Sequence, residues 1–206
     1  RWHGKWLENH SHRYTGMMLI NPFFGARVEH WFKFDGDLNN SGTLACTATF
    51  NNGSVSYSSV VGVNTGQSVN PNNTIIQLHH PVSYALGTNF YVEFYATFSS
   101  AASATNRSII NTSNGFDLRH QVDGKLILST PVEANIFTTT LSYKDDVKRK
   151  FKLTFISGVV SLYVDNVLTN TGTTSILDFD VSKSGVQLFI FATPGHHYDD
   201  LIIHRN

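Results

Sequence analysis

From residue 29 onward, hydrophobic and polar residues alternate in short bursts. Phe90, Val92, Phe94, Ala96 and Phe98 alternate with Tyr91, Glu93, Tyr95 and Thr97, a period of two that predicts a half-buried strand. Phe151, Leu153 and Phe155 do the same against Lys150, Lys152 and Thr154. After a Ser157-Gly158 turn, Val160, Leu162 and Val164 continue the pattern, and Asp165-Asn166 turns the chain again into Val167. Asp123-Gly124 separates Leu118–Val122 from Lys125–Ser129 and predicts a hairpin with a two-residue turn. Val186, Leu188 and Ile190 predict another strand, and Leu201–His204 a closing one. No window carries the 3.6-residue period of an amphipathic helix. Many short strands with regular turns, each with one wet and one dry side, predict an all-β, two-sheet antiparallel sandwich.

Residues 1–28 read differently. They hold Trp2-His3, Trp6 and His10-Ser-His12, with Gly4, Gly16, Pro22 and Gly25, and no sustained period. This stretch is expected to be an irregular arm, a linker or trimerisation segment, that orders against a partner or against other copies of the chain. The sandwich is expected to occupy residues 29–206. The chain starts at Arg1 without Met or an apolar leader, as expected of a fragment or processed piece.

Composition narrows the function. Fifteen acidic and fifteen basic residues give zero formal charge over 206 residues, which argues against a nucleic-acid partner, since that needs a concentrated basic surface. No apolar run approaches bilayer length, so membrane insertion is not expected. The single cysteine, Cys46, excludes an internal disulfide. Low charge with abundant Thr, Ser, Asn and Gly and many aromatics suits an extracellular or virion-borne β protein. The Asn-x-Ser/Thr sequons at Asn39, Asn52, Asn72, Asn106 and Asn111 read only as surface loops.

Four segments carry a family resemblance. His30-Trp-Phe-Lys-Phe-Asp-Gly-Asp-Leu-Asn-Asn-Ser-Gly42 resembles the opening strand of concanavalin A-like (laminin G-like) domains. Asn89–Phe98, Leu162-Tyr-Val-Asp-Asn-Val167 and Tyr198-Asp-Asp-Leu-Ile-Ile203 are similar to later strands of that family, in its order and spacing. The resemblance implies a jelly roll whose first and last strands pair, often a structural calcium near that junction, and a binding role, usually toward glycans. Fold alone does not assign function.

Catalysis is not expected. A glycosidase needs two facing carboxylates, which the glucanases of this fold carry as Glu-x-Asp-x-x-Glu on one strand. Here the only glutamates are Glu8, Glu29, Glu93 and Glu133, and Glu93 has Tyr91 and Tyr95 as same-face neighbours. If the terminal strands pair, Asp35, Asp37, Asp199 and Asp200 come near one another, and Asp35, Asp199 and Asp200 become calcium candidates. An EF-hand reading of Asp35-x-Asp37-x-Asn39 fails, because Asn40 and Cys46 stand where the turn Gly and bidentate Glu belong. In an extended arm, His10 and His12 point the same way, so three copies would offer six imidazoles to a transition metal on a threefold axis. Such pairs resemble those of bacteriophage tail-fibre tips.

Ligand-binding candidates are His196, His197 and Tyr198, after the Thr193-Pro-Gly195 loop, and Asp117 with Arg119, which share one face of a strand while His120 takes the other. His79-His80-Pro81 is a further loop of interest. Together these predict a non-catalytic domain that binds a cell-surface glycan or receptor, carried as a homotrimer on a phage tail fibre or similar virion appendage. The alternatives are a carbohydrate-binding module of a bacterial secreted protein, or a structural baseplate or decoration protein of a virion.

Overall fold

The computed structural model describes residues 28–51, 54–64, 66–71, 75–80, 86–101, 106–112, 115–176, 185–191 and 195–205. Among these, fifteen strands and no helix are found: β1 His30–Phe32, β2 Thr47–Asn51, β3 Ser56–Ser58, β4 Ser68–Asn70, β5 Ile75–His80, β6 Asn89–Thr97, β7 Arg107–Thr112, β8 Asp117–His120, β9 Leu126–Ser129, β10 Phe137–Thr138, β11 Lys148–Ile156, β12 Val159–Val164, β13 Val167–Thr173, β14 Gly185–Phe191 and β15 His197–Arg205. They form two antiparallel sheets. One runs β13-β12-β11-β6-β15-β4-β3, with β1 also paired to β15, and the other runs β10-β9-β8-β7-β14-β5-β2. The two-sheet antiparallel sandwich expected from the alternating pattern is therefore present. No helix among the described residues is long and apolar enough to cross a membrane.

The first and last strands close the larger sheet: His30, Trp31 and Phe32 pair with Ile203, Ile202 and Leu201. The alternation seen in the sequence sorts side chains as expected. Phe90, Val92, Phe94, Ala96 and Phe98 of β6 and its end lie in the core with Phe151, Leu153 and Phe155 of β11. Phe90 stacks on Phe155 at 4.4 Å and Phe94 on Phe151 at 5.5 Å. Facing them from the other sheet are Ile76, Leu78, Ile110, Phe116, Leu118, Leu126 and Leu128. Each such ring or branched chain contributes about 1.5–3 kcal/mol by leaving water. The Asp123-Gly124 hairpin joins β8 to β9, but Gln121 pairs with Lys125 and Gly124 alone takes positive φ, so its loop is the three residues 122–124 and not two. The turns at Ser157-Gly158 and Asp165-Asn166 hold. Asp165 and Asn166 both take positive φ, 50° and 67°, as a tight hairpin turn requires.

The bonds that tie sheet ends together involve loops. Glu133 is the main knot in the loop after β9. Its Oε1 accepts from the Ser175 backbone N–H at 2.8 Å and the Ser175 hydroxyl at 2.6 Å, and its Oε2 accepts from the Thr174 hydroxyl at 2.9 Å and from the Thr130 hydroxyl. These donors, Ser175 and Thr130 foremost, hold its carboxyl down at about 2. The segment Thr130–Glu133 is thus fastened to the end of β13.

Candidate functional site

On β8, Leu118 and His120 point into the core, so Asp117 and Arg119 point outward, as period two requires. Register brings Asn111 of β7 and Ser129 of β9 alongside Asp117, one on each flank. Arg119 Nε donates to Asp117 Oδ2 at 2.5 Å, and its Nη2 reaches the Ser129 hydroxyl at 3.4 Å. These groups line a cleft of about 200 Å³ together with Thr112, Phe116, Thr130 and Pro131. The fastened segment after β9 supplies its wall, where Pro131 and Val132 are exposed.

The pair is unevenly buried. The Arg119 side chain is 46% exposed and that of Asp117 only 15%. Asp117 Oδ1 is buried and has no hydrogen-bond partner. An acceptor left in that state costs about 1–3 kcal/mol, which a hydroxyl or N–H reaching it would recover. The cleft thus offers a charged acceptor, a guanidinium donor, a side-chain amide and a hydroxyl within one small concavity. Asp117 is the one carboxylate among its lining residues.

The other predicted ligand residues lie elsewhere. Tyr198 is 1% exposed and packs among Phe94 and Phe98, each at 6.4 Å, and burial raises its hydroxyl pKa. His196 is equally buried, with its Nδ1 accepting from the Ser99 N–H at 3.1 Å. Only His197 is half-buried, its Nδ1 lying 3.2 Å from the Ser68 hydroxyl. Of the three ligand-binding candidates His196, His197 and Tyr198, the first and last are thus core residues. Tyr198 pairs with Ala96 across the sheet and so takes the core side of β15, which turns its ring away from solvent.

The acids of the closing strand do come together. β15 carries a bulge between Asp199 and Ile202, and Asp200 adopts φ 46°, a conformation that Asp tolerates. Asp199 and Asp200 then face the loop before β4. Asp199 Oδ2 accepts from the Asn64 backbone N–H at 2.5 Å and its Oδ1 from the Asp200 N–H at 2.8 Å. Asp200 Oδ1 accepts from Trp31 Nε1 at 2.9 Å and its Oδ2 from Asn64 Nδ2 at 2.7 Å. Asp35 Oδ1 accepts from the Gln67 N–H at 2.8 Å at the far end of the same loop, and Asp37 bonds Asn39. Among the described residues, no three His, Cys, Asp or Glu side chains group so as to hold a metal. All three calcium candidates accept hydrogen bonds from one loop, the one before β4. His10 and His12 lie outside the described residues.

His120 and His196, neither read from sequence as core, meet inside. Their rings stand edge-on at 5.3 Å, with Phe98 at 5.0 and 5.1 Å from each. Desolvation foremost, with Lys144 adding and Asp123 opposing, lowers the His120 pKa to about 4. Desolvation, then His120 itself, Lys144 and His197, lower that of His196 to about 3, with Asp146 opposing. Sequence reasoning missed Asn111 and Ser129, because only the cross-strand register places them beside Asp117. His79 bonds Thr49 at 3.0 Å on the outer face of β2 and β5.

No family model matches the sequence, and no curated protein does. Solved structures do match in shape. Domain 4 of a GH43 extracellular arabinanase from Geobacillus stearothermophilus, solved with arabinotriose, superposes with TM-score 0.65 at 14% identity over 88% of this chain and 93% of its own. The binding domain of Paraclostridial Mosquitocidal Protein 1 superposes with TM-score 0.67 at 12% identity, and the chain spans about half of it, 49%. A carbohydrate-binding module from Bacillus subtilis gives TM-score 0.50 at 14% identity over 76% of this chain and 94% of its own. At such identities the likeness is one of fold, a β-sandwich that these binding domains share.

Proposed function

We propose that this chain is a non-catalytic domain that binds a glycan through the cleft of Asp117, Arg119, Asn111 and Ser129. The observation that carries the reading is the buried, unpartnered Asp117 Oδ1 beside an exposed guanidinium, a donor–acceptor pair suited to neighbouring sugar hydroxyls. A single carboxylate in the lining supports binding over hydrolysis, which needs a facing pair. The sandwich shared with a domain solved with arabinotriose and with a carbohydrate-binding module supports it further.

A glycan array probed with the full chain and with Arg119→Ala and Asp117→Asn tests this. Capture by the parent and loss in both variants is expected, with the variants unchanged in thermal stability to within a few degrees. Capture that survives both substitutions, or no capture of any glycan, overturns the assignment of the cleft.

The carrier is proposed as a phage tail fibre or similar virion appendage, with residues 1–28 joining three copies and His10 and His12 gathering a transition metal between them. Support comes from the His-x-His spacing in the sequence alone. The solution mass of the full chain should then be that of a trimer, falling to a monomer when residues 1–28 are removed. A metal-independent monomer removes this part. The second carrier, a module of a secreted bacterial protein, is favoured by one observation: the sandwich matches nearly the whole of a domain belonging to an extracellular arabinanase.

A further inference from the structure

The cleft sits at one end of a longer row. Antiparallel register places Thr49 of β2 opposite Gln77 of β5, and Asn111 of β7 opposite Asp117 of β8, which in turn faces Ser129 of β9. Phe189 of β14 holds the register position between Gln77 and Asn111. The inward neighbours Ile76, Leu78, Ile110, Leu118 and Leu128 are buried. The named polar residues therefore share the outer face of the seven-stranded sheet, perpendicular to its strands. Thr49 also bonds His79 on that face at 3.0 Å, as Arg119 bonds Asp117. Six strands in line, at about 4.8 Å per step, give a track of about 24 Å.

Its polar positions are alike in chemistry, with Phe189 as the one apolar residue in the row. Thr49 offers an exposed hydroxyl and Ser129 a buried one at the floor of the cleft, Gln77 and Asn111 offer amides, and the acid Asp117 is neutralised by Arg119 within the row. No other charge stands at these positions. Amides and hydroxyls at four of the six positions suit the donors and acceptors of a neutral sugar, whereas a polyanion finds one guanidinium, already bonded to a carboxylate. Each unit of an extended glycan advances by about one strand spacing, so successive units meet successive strands.

Resting on the cleft as the binding site, we infer that the ligand is a neutral, linear oligosaccharide lying across the strands from Ser129 toward Thr49, rather than a single terminal sugar or an acidic chain. The cleft then acts as the terminal subsite and Gln77 as a remote one.

Isothermal titration of the full chain with glucan-, mannan- and xylan-derived oligomers, from dimer to hexamer, tests this, with galacturonan oligomers of the same lengths as the acidic arm. Affinity for at least one neutral series is expected to rise up to the pentamer and then level. Gln77→Ala is expected to weaken the pentamer roughly fivefold more than the dimer, the loss of one net hydrogen bond. Arg119→Ala should weaken every length. If Arg119→Ala abolishes binding while length and Gln77 have no effect, the cleft stands and the track falls. Preference for the galacturonan series, lost in Arg119→Ala, overturns the neutral class alone. Indifference to Arg119→Ala overturns both.

Discussion

Acidification from pH 7.5 to 5.0 should destabilise this sandwich through its buried histidines well before its carboxylates titrate. His120 and His196 are held neutral in the fold, at about 4 and about 3, against 6.5 for a free side chain. In the unfolded chain both take a proton as the pH falls through 6.5. In the fold neither does until the pH nears those lowered values. Their contribution to stability is therefore complete above about pH 6.5 and is lost on descent toward 4. At pH 5 each group has lost about 1.5 pH units of linkage, about 2 kcal/mol at about 1.4 kcal/mol per unit, so the pair loses about 4 kcal/mol. That is a large share of a typical stability of about 5–15 kcal/mol. The window matters because the carboxylates with lowered pKa values, Asp123, Glu133, Asp145 and Asp146, withdraw their support only below about 4.5. Urea midpoints at half-unit steps from pH 7.5 to 5.0 measure the slope. His120→Leu, whatever its baseline, should make the slope clearly shallower by removing one of the protons, those at His196 and the half-buried His197 remaining. A midpoint that stays flat between pH 6.5 and 5.0, or a His120→Leu slope equal to the parent's, refutes the assignment of buried neutral rings.

Gly42→Ala should cost about 2–3 kcal/mol, or roughly 5–10 °C in Tm. A Cβ there would lie 2.2 Å from the Glu29 carbonyl oxygen and 2.6 Å from His30 Cα, main-chain atoms that cannot swing away. An unchanged melting curve would show that this close approach is not kept in solution. Cys46, half-buried and with its thiol pushed up to about 12 by desolvation, should resist iodoacetamide at pH 8 in the folded protein and react once urea is added. Equal labelling in both states would refute its burial. Addition of a calcium chelator should leave Tm unchanged, since N–H donors already serve Asp199 and Asp200. A drop of several degrees, restored by calcium, would refute that sufficiency.

How much was legible depends on how local each signal is. β6, β11 and β12 are long enough for alternation to stand out, and their turns at Ser157-Gly158 and Asp165-Asn166 are written in residues that accept positive φ. β3, β4 and β10 have two or three residues each and exist only because longer neighbours offer them an edge. The site divides in the same way. That Asp117 and Arg119 share a face follows from period two on one strand. That Asn111 and Ser129 flank them follows from non-local register, including a bulge between Ser108 and Ile110 that no sequence window reveals. The same blindness explains His196 and Tyr198. A Pro-Gly turn signals a loop, but the side facing the core is set by pairing with β6.

The acids near the closing strands make the sharper case, because their convergence was legible and the groups that meet them were not. Asp35, Asp199 and Asp200 do converge on one loop once β1 pairs β15. A carboxylate brought there needs its lone pairs filled, and either a hard cation or a set of N–H groups can do it. A sequence window shows the acceptors and hides the donors. Here the donors arrive from 31, 64 and 67, far away along the chain, and Asn64 spends both its main-chain and side-chain N–H on the Asp199–Asp200 pair. The bulge that turns both acids toward this loop also moves them off the outer face of the sheet. The row on the opposite sheet, with its single compensated ion pair, is built differently, since its polar groups are set side by side by strand register and not gathered by a loop.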